Sequence, residues 1–490
     1  MACGVTWAML DLRPVGYVIG FLTAALGAAM VVPFLADVIE GRGDPGTFGT
    51  SAFLTVLTGV ALMLACASSR TSALSLQQTF LLTTLTWLLL PVFGALPFWI
   101  GAANASYTDA FFEAMSGLTT TGAAVFTGLS GLPAGTLLWR ALLQWFGGIG
   151  IIVVALAFLP SLKVGGMQIF RSEGFDTFGK ILPRAAEIAT TVSWIYLVVT
   201  GVCALAYTRA GMNGFDALLH ALTTVSTGGC SRYDASMGQF SGAVQYVAIV
   251  FMIIASLPFV RYVALVTGDL RPLFRDSQVR SYLVVIAVSV GVLTVYVQTT
   301  TFSDFEEAFR SVLFNIVSII SGTGYASADY QLWGPFAVAI FFLLGLIGGC
   351  AGSTACSVKI FRYELLIATL AARIREVHAP AGVFTPRYEG RPIAEDVMNS
   401  VMAFFMLFLS SLAVIAVILA FLGLDPVTAI SGATSALANI GPGLGPEIGP
   451  AGNFGGLPDS AKWVLAMAML LGRLELMSVF VLFTAAFWRR

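Results

Sequence analysis

The sequence predicts an all-α polytopic membrane protein, and three observations carry that prediction. The 490 residues are 58% hydrophobic and only 10% charged, against about 25% charge in soluble domains. Apolar runs of roughly 20 residues, long enough for a ~30 Å hydrocarbon core, recur along the chain. They are continuous rather than alternating, so the backbone is satisfied within helices rather than in a barrel. Four times, finally, a hydrophobic helix gives way to a small polar turn around one glycine. The turns read Thr120-Thr121-Gly122-Ala123, Ser226-Thr227-Gly228-Gly229, Gly322-Thr323-Gly324-Tyr325 and Asn439-Ile440-Gly441-Pro442. Four such turns at membrane depth predict four walls around one narrow hole.

The elements follow in order. Two extra N-terminal transmembrane helices, at about 15–39 and 49–69, occupy residues 1–72. Four pseudo-symmetric helix–pore-loop–helix repeats around one central pore come next, at 73–163, 185–270, 280–357 and 394–490. Ten full crossings and four half-crossings result, which places both termini on one side. Arg13 leads straight into a full-length span, so no cleavable signal peptide is expected.

Charge assigns the sides. Most of the 25 Lys and Arg fall on one face, among them Lys163, Arg171, Lys180, Arg184, Arg271, Arg275, Arg280, Arg373 and Arg375. The opposite face holds Arg42, Arg140, Arg209, Arg232, Arg310 and Lys462, while Arg473 sits inside the last span. The positive-inside rule makes the first face cytoplasmic, with both termini there. All four re-entrant segments then enter from outside. That outer face carries Asp109, Glu113, Asp216, Asp234, Asp304, Glu306, Glu307, Asp329, Asp425, Glu447 and Asp459. Two readings of these acids stand: they concentrate cations at a pore mouth, or they only keep the outer loops soluble.

Composition also excludes functions. A net charge of −1 leaves no basic excess for nucleic acid. Six cysteines are scattered without a CxxC pair, and His220 and His378 are too few for a histidine metal centre. No phosphate loop or dinucleotide fingerprint is present, so control by a nucleotide must come from another polypeptide. No paired acid, metal motif or nucleophile–base pair lies within the spans, so the chain is not expected to be an enzyme.

Each re-entrant segment begins near an acid or a capping residue: Thr108-Asp109, Asp216, Ser303-Asp304 and Asp425-Pro426. Asp before Pro is a strong helix start, because Asp caps free N–H groups and Pro fits the first turn. The short helix that follows points its C-terminus, the negative end of its dipole, at the axis. A cation gains from four such ends. The turn beyond exposes backbone carbonyls, and glycine permits that conformation without a Cβ penalty. The rival reading is that these are small-residue patches for helix packing.

The second helix of the third repeat holds Gly345, Gly348, Gly349, Gly352, Ser353 and Thr354. Each glycine costs about 1 kcal/mol against alanine in a helix. A broken helix with an irregular loop at about 345–357 is expected, close packing being the alternative. Arg473, in Leu471-Gly472-Arg473-Leu474-Glu475, is the sharpest polar anomaly, since a charge this deep is expensive. Glu475 lies two residues on and faces another side, so it is not the expected partner of Arg473. Arg473 reads either as functional or as a structural arginine bonded to loop carbonyls.

At these residues the chain resembles the Trk/Ktr/HKT superfamily of potassium transporters, over nearly its whole length. The turn SGTGY at 321–325 is similar to the potassium-channel signature, and NIGPG at 439–443 is typical of the superfamily. The two extra N-terminal helices resemble the Trk branch. The resemblance implies a potassium filter formed by Thr120, Thr121, Gly122, Ser226, Thr227, Gly228, Gly322, Thr323, Gly324, Asn439, Ile440 and Gly441. It implies a gate formed by Gly348, Gly349, Gly352, Ser353, Thr354 and Arg473. Plant relatives that prefer sodium carry serine at the first filter glycine, and here that position is Gly122. Also implied are potassium ions in the filter with no covalently bound cofactor, the bacterial inner membrane, a homodimer, and a cytosolic ring of TrkA-type nucleotide-binding subunits. The basic segments 163–184, 261–280 and 359–391 are candidates to dock that ring, or only to orient helices and contact anionic lipid. Symport of potassium with protons or sodium is the alternative to a gated channel.

Overall fold

The computed structural model describes residues 10–41, 43–69, 74–157, 185–266, 268, 269 and 271–488. The basic segment 163–184 lies outside the described residues. Two apolar helices open the chain. Arg13–Ala29 steps at Met30 into Val31–Glu40, and Pro45–Ala65 returns antiparallel. Asp44 starts the return helix by accepting from the Gly46 N–H at 2.9 Å, with Pro45 in the first turn. The pair packs backbone to backbone: a Cβ on Gly20 would stand 2.7 Å from the Gly59 carbonyl oxygen. Small residues permit such approach in lipid.

One element order then occurs four times: a long helix, a short helix, a turn and a second helix. The first copy runs Leu76–Gly94, Tyr107–Leu118 and Ala134–Ala157. The second runs Ala185–Arg209, Gly214–Val225 and Gly242–Ser256. The third runs Ser277–Thr300, Phe305–Ser321 and Pro335–Gly345. The fourth runs Glu395–Phe421, Pro426–Ala438 and Asp459–Arg473. Each short helix is 12 to 17 residues long. At about 1.5 Å per residue, none crosses a ~30 Å core.

Their starts are set by side chains. Ser106, Asn213, Asp304 and Asp425 accept from the backbone N–H groups of Asp109, Asp216, Glu307 and Thr428. Asp109 and Asp216, expected at the starts, occupy the first turn behind the true caps, where a negative charge still favours the helix N-terminus. The short helices are the core: Thr428 and every residue from Ser431 to Ala438 are buried. Long outer helices leave Leu409, Val414, Val417 and Phe421 exposed, the pattern of a lipid-facing surface.

The expectation of ten plain crossings is modified. Among the described residues six helices are long and apolar enough to span, and up to eight if two bent pairs count as spans. The second helix of the third copy stops at Gly345, where the glycine-rich loop begins, as expected. Two further breaks were not expected. Gly242–Ser256 turns by 97° onto Phe259–Leu265, because Pro258 has no N–H to continue the helix. Asp459–Arg473 turns by 101° onto Met477–Phe483, at Glu475 and Leu476, whose φ values are 60° and 41°. Residues in that region end a helix.

Candidate functional site

All four short helices end in the same hydrogen-bond motif. In the first copy the Thr120 N–H donates to the Gly117 carbonyl and the Thr121 N–H to that of Ser116. The same pair recurs as Thr227 to Thr224 with Gly228 to Thr223, Gly322 to Ile319 with Thr323 to Ser318, and Asn439 to Ala436 with Ile440 to Ser435. This is the left-handed C-terminal cap that satisfies orphan carbonyls. It puts Thr120, Thr227, Gly322 and Asn439 in one structural position, with φ of 52°, 51°, 72° and 52°.

The motif corrects the register of the second turn. Two residues beyond each cap lie Gly122, Gly229, Gly324 and Gly441, with φ of 80°, 74°, 79° and 108°. The fourth equivalent glycine is therefore Gly229, not Gly228, which matches Thr121, Thr323 and Ile440. A left-handed conformation disfavours any Cβ, so these four glycines are required by the backbone.

The four turns close a ring. A Cβ on Gly122 would fall onto the Gly228 carbonyl oxygen, on Gly229 onto that of Thr323, and on Gly324 onto that of Ile440. On Gly441 it would lie 2.7 Å from the Thr121 carbonyl oxygen. Each turn thus meets the next, and the fourth returns to the first. Gly122, Gly229, Gly324 and Gly441 all line one cavity, together with Asp234 and Arg140. The Thr121 and Thr323 hydroxyls brace their own turns, bonding Thr119 at 2.8 Å and Ser321 at 2.7 Å. Ser226 bonds back to the Thr223 carbonyl at 3.2 Å. The Asn439 amide joins the fourth turn to the first through the Thr121 hydroxyl at 2.9 Å.

A second cavity lies across the ring and is lined by Gly352, Ser353, Cys356, Asn439 and Arg473, among others. The glycine-rich loop passes directly under the turns. The Ser357 N–H donates to the Ala438 carbonyl at 2.8 Å, and the Thr354 hydroxyl to the Val225 carbonyl at 3.1 Å. These are carbonyls at short-helix C-termini, so the loop occupies two of the dipole ends that would face a cation. The Cys356 thiol stands 3.6 Å from the Thr120 hydroxyl. The loop is pinned outward as well: Gly348 bonds Val358, the Gly349 carbonyl accepts from Ile360, and Gly352 accepts from Phe259.

Arg473 is buried, with 4% exposure, in that lower cavity. Its guanidinium donates to the Cys356 thiol at 2.6 Å and to the Gly147 carbonyl at 3.0 Å. Among the described residues its Nε finds no acceptor. Glu475 pairs with Arg362 instead, in line with the expected separation from Arg473.

Seven of the eleven acids expected on the outer face fall into three uses. Asp109, Glu113, Asp216 and Glu306 form ion pairs with Lys462, Arg140, Arg232 and Arg310. Asp304 and Asp425 cap helices. Asp234 lines the upper cavity. The four paired acids, and Asp459 at 3.9 Å from Lys462, thus lie against cations expected on the same face.

Comparison with known proteins agrees with this architecture. The family model TrkH, described as cation transport protein, matches residues 47–490. The chain is 41% identical to the Trk system potassium uptake protein TrkI of Halomonas elongata, over 99% of each chain. It is 35% identical to the Trk system potassium uptake protein TrkH of Escherichia coli K12, covering 98% of this chain and 100% of that one. The crystal structure of the potassium transporter TrkH from Vibrio parahaemolyticus superposes with a TM-score of 0.89 at 34% identity, covering 98% of this chain and 100% of that one. The chain belongs to the TrkH family.

As a TrkH-family protein it is a multi-pass membrane transport protein and not an enzyme. Parts of this TrkH site were not visible in the sequence. Glu113 and Arg140, expected as separate charges on the outer face, form a buried pair at 2.6 Å. The other Glu113 oxygen accepts from the Val125 N–H at 2.9 Å, which fixes the extended segment leaving the first turn. Gln144 and Cys356 carried no signal beyond lying near glycines.

Proposed function

We propose that this chain takes up potassium across the bacterial inner membrane, through the ring formed by the four turns. The observation that carries the reading is ring closure: each turn backs onto a carbonyl of the next, with a cavity on either side. Rings of backbone carbonyls replace the hydration shell of a potassium ion. Relatives over the full length are named potassium uptake proteins, which supports the choice of ion. The loop at 346–359 and Arg473 act as the gate, since a fixed cation and a loop in the lower cavity both oppose cation passage.

Passive flux is favoured over symport with protons. A proton-coupled carrier needs a protonatable group in its pathway. Near the ring the buried acids Glu113 and Asp216 are held by Arg140 and Arg232. The relatives' names speak of a Trk system, which supports a further component. We assign that role to a TrkA-type cytosolic nucleotide-binding subunit beneath a homodimer, with both termini cytoplasmic. Exposed Arg271, Arg275, Arg280, Arg373 and Arg375 are its docking candidates.

The test is flux through purified protein in lipid vesicles, with Gly122→Ser as the diagnostic variant. A side chain there meets the Gly228 carbonyl oxygen, so sodium flux rises relative to potassium. An unaltered ratio rules out the ring as the selective element.

A further inference from the structure

Gly228 is a glycine for a reason other than its backbone, since its φ lies outside the left-handed region. A Cβ at Gly228 would instead meet Gln144, with Oε1 at 2.5 Å and Cβ at 2.9 Å. The equivalent residues Thr121, Thr323 and Ile440 all carry side chains. In the second turn that space belongs to Gln144, from the helix Ala134–Ala157 of the first copy.

Gln144 is fully buried, at 0% exposure. It grips the second turn on both sides of Gly229. Its Nε2 donates to the Gly228 carbonyl at 2.5 Å, and its Oε1 accepts from the Cys230 N–H at 3.1 Å. The third and fourth turns are braced from their own short helices. Ser318 donates to the Tyr325 carbonyl and Ser435 to that of Gly441, both at 2.7 Å. The corresponding residue of the second copy, Thr223, is taken up by the Tyr325 hydroxyl at 2.5 Å.

We propose that Gln144 is a selectivity-determining positioning residue, which holds the Gly228 carbonyl at the ring and weakens it as a cation ligand. A carbonyl oxygen has two lone pairs. The Gln144 amide takes one and sets its own positive dipole end against the ring. Among the described residues the carbonyls of Thr121, Thr323 and Ile440 accept no hydrogen bond. The four oxygens therefore differ in field strength, which is one of the quantities that selects potassium over sodium. The inference rests on the ring being the cation path.

Gln144→Glu tests it without a change of shape. A protonated glutamic acid donates to Gly228 and accepts from Cys230 as glutamine does, whereas the ionised form has no donor. Gln144→Met fills the space with neither group. The readout is the potassium-to-sodium permeability ratio in vesicles, at about pH 5.5 and about pH 9, on either side of the range of a carboxyl raised by burial. Gln144→Glu should match the unsubstituted protein at the lower pH and lose roughly fivefold to tenfold at the higher, the scale of one lost hydrogen bond. Gln144→Met should be reduced at both. Ratios unchanged in both variants, beside a shifted Gly122→Ser, overturn the role of Gln144 and leave the ring intact. An equal loss at both pH values in Gln144→Glu also overturns it, because that marks packing alone. If Gly122→Ser too is unshifted, the ring itself is not the selective path.

Discussion

Arg473 donates to the Cys356 thiol at 2.6 Å, so the end of the last long helix and the loop beneath the ring meet in one contact. Cys356 in turn touches Thr120 in the first turn. Loop, guanidinium and ring are therefore a single packed unit in this conformation, and the gate is held by a few identifiable groups.

Replacing Arg473 by alanine removes the cation from the lower cavity and both of its bonds. Basal potassium flux in vesicles should rise without any partner added. Flux equal to that of the unsubstituted protein would sink the barrier role.

Cys356→Ala frees Arg473 and Thr120 from the loop while the charge stays in the cavity. Basal flux should rise, but by less than in Arg473→Ala. A Cys356→Ala flux as large as that of Arg473→Ala would show that the latch, rather than the charge, is the barrier.

The Glu113–Arg140 pair is buried at both ends, with side-chain exposures of 2% and 3%. Removing one partner leaves an uncompensated charge, at about 3–5 kcal/mol. Arg140→Leu should therefore lower the thermal midpoint in detergent sharply. The double substitution Arg140→Leu with Glu113→Leu should recover part of the loss. A double variant no more stable than the single one would contradict this account.

In the helix Ile360–His378, burial raises the Glu364 carboxyl above its ordinary value, opposed by hydrogen bonds from Ser281 and Ser277 and reinforced by Asp276 and Glu389. A folded value above the unfolded one means the folded state binds the proton more tightly. The stabilising contribution is complete below the ordinary value of 4.5 and is lost as pH rises through the raised folded value. Glu364→Gln should thus gain stability relative to the unsubstituted protein more at about pH 8 than at about pH 5, the range bracketing a raised carboxyl. An equal difference at both pH values would show that Glu364 does not titrate across this range.

Much of this was legible in the sequence because lipid imposes strong local rules. Long apolar runs, polar helix starts and glycine clusters fixed the repeats and the break at Gly345, since each reflects a backbone constraint that neighbours in sequence satisfy. The register of the second turn was not legible. Gly228 and Gly229 are adjacent, and only φ tells which one the backbone demands. The other is explained by Gln144, which is distant in sequence. The bend after Ser256 had a visible cause in Pro258, whereas the bend at Glu475 and Leu476 places ordinary residues at positive φ. Paired acids such as Glu113 were unreadable for the same reason as Gln144: their partners come from other elements.

The central claim is that the ring passes potassium selectively and passively. The most direct measurement is the reversal potential of purified protein in opposed potassium and sodium gradients, taken at two pH values. The account predicts a potential that follows the potassium gradient and stays fixed with pH. A potential that follows sodium, or that moves with pH, would contradict it.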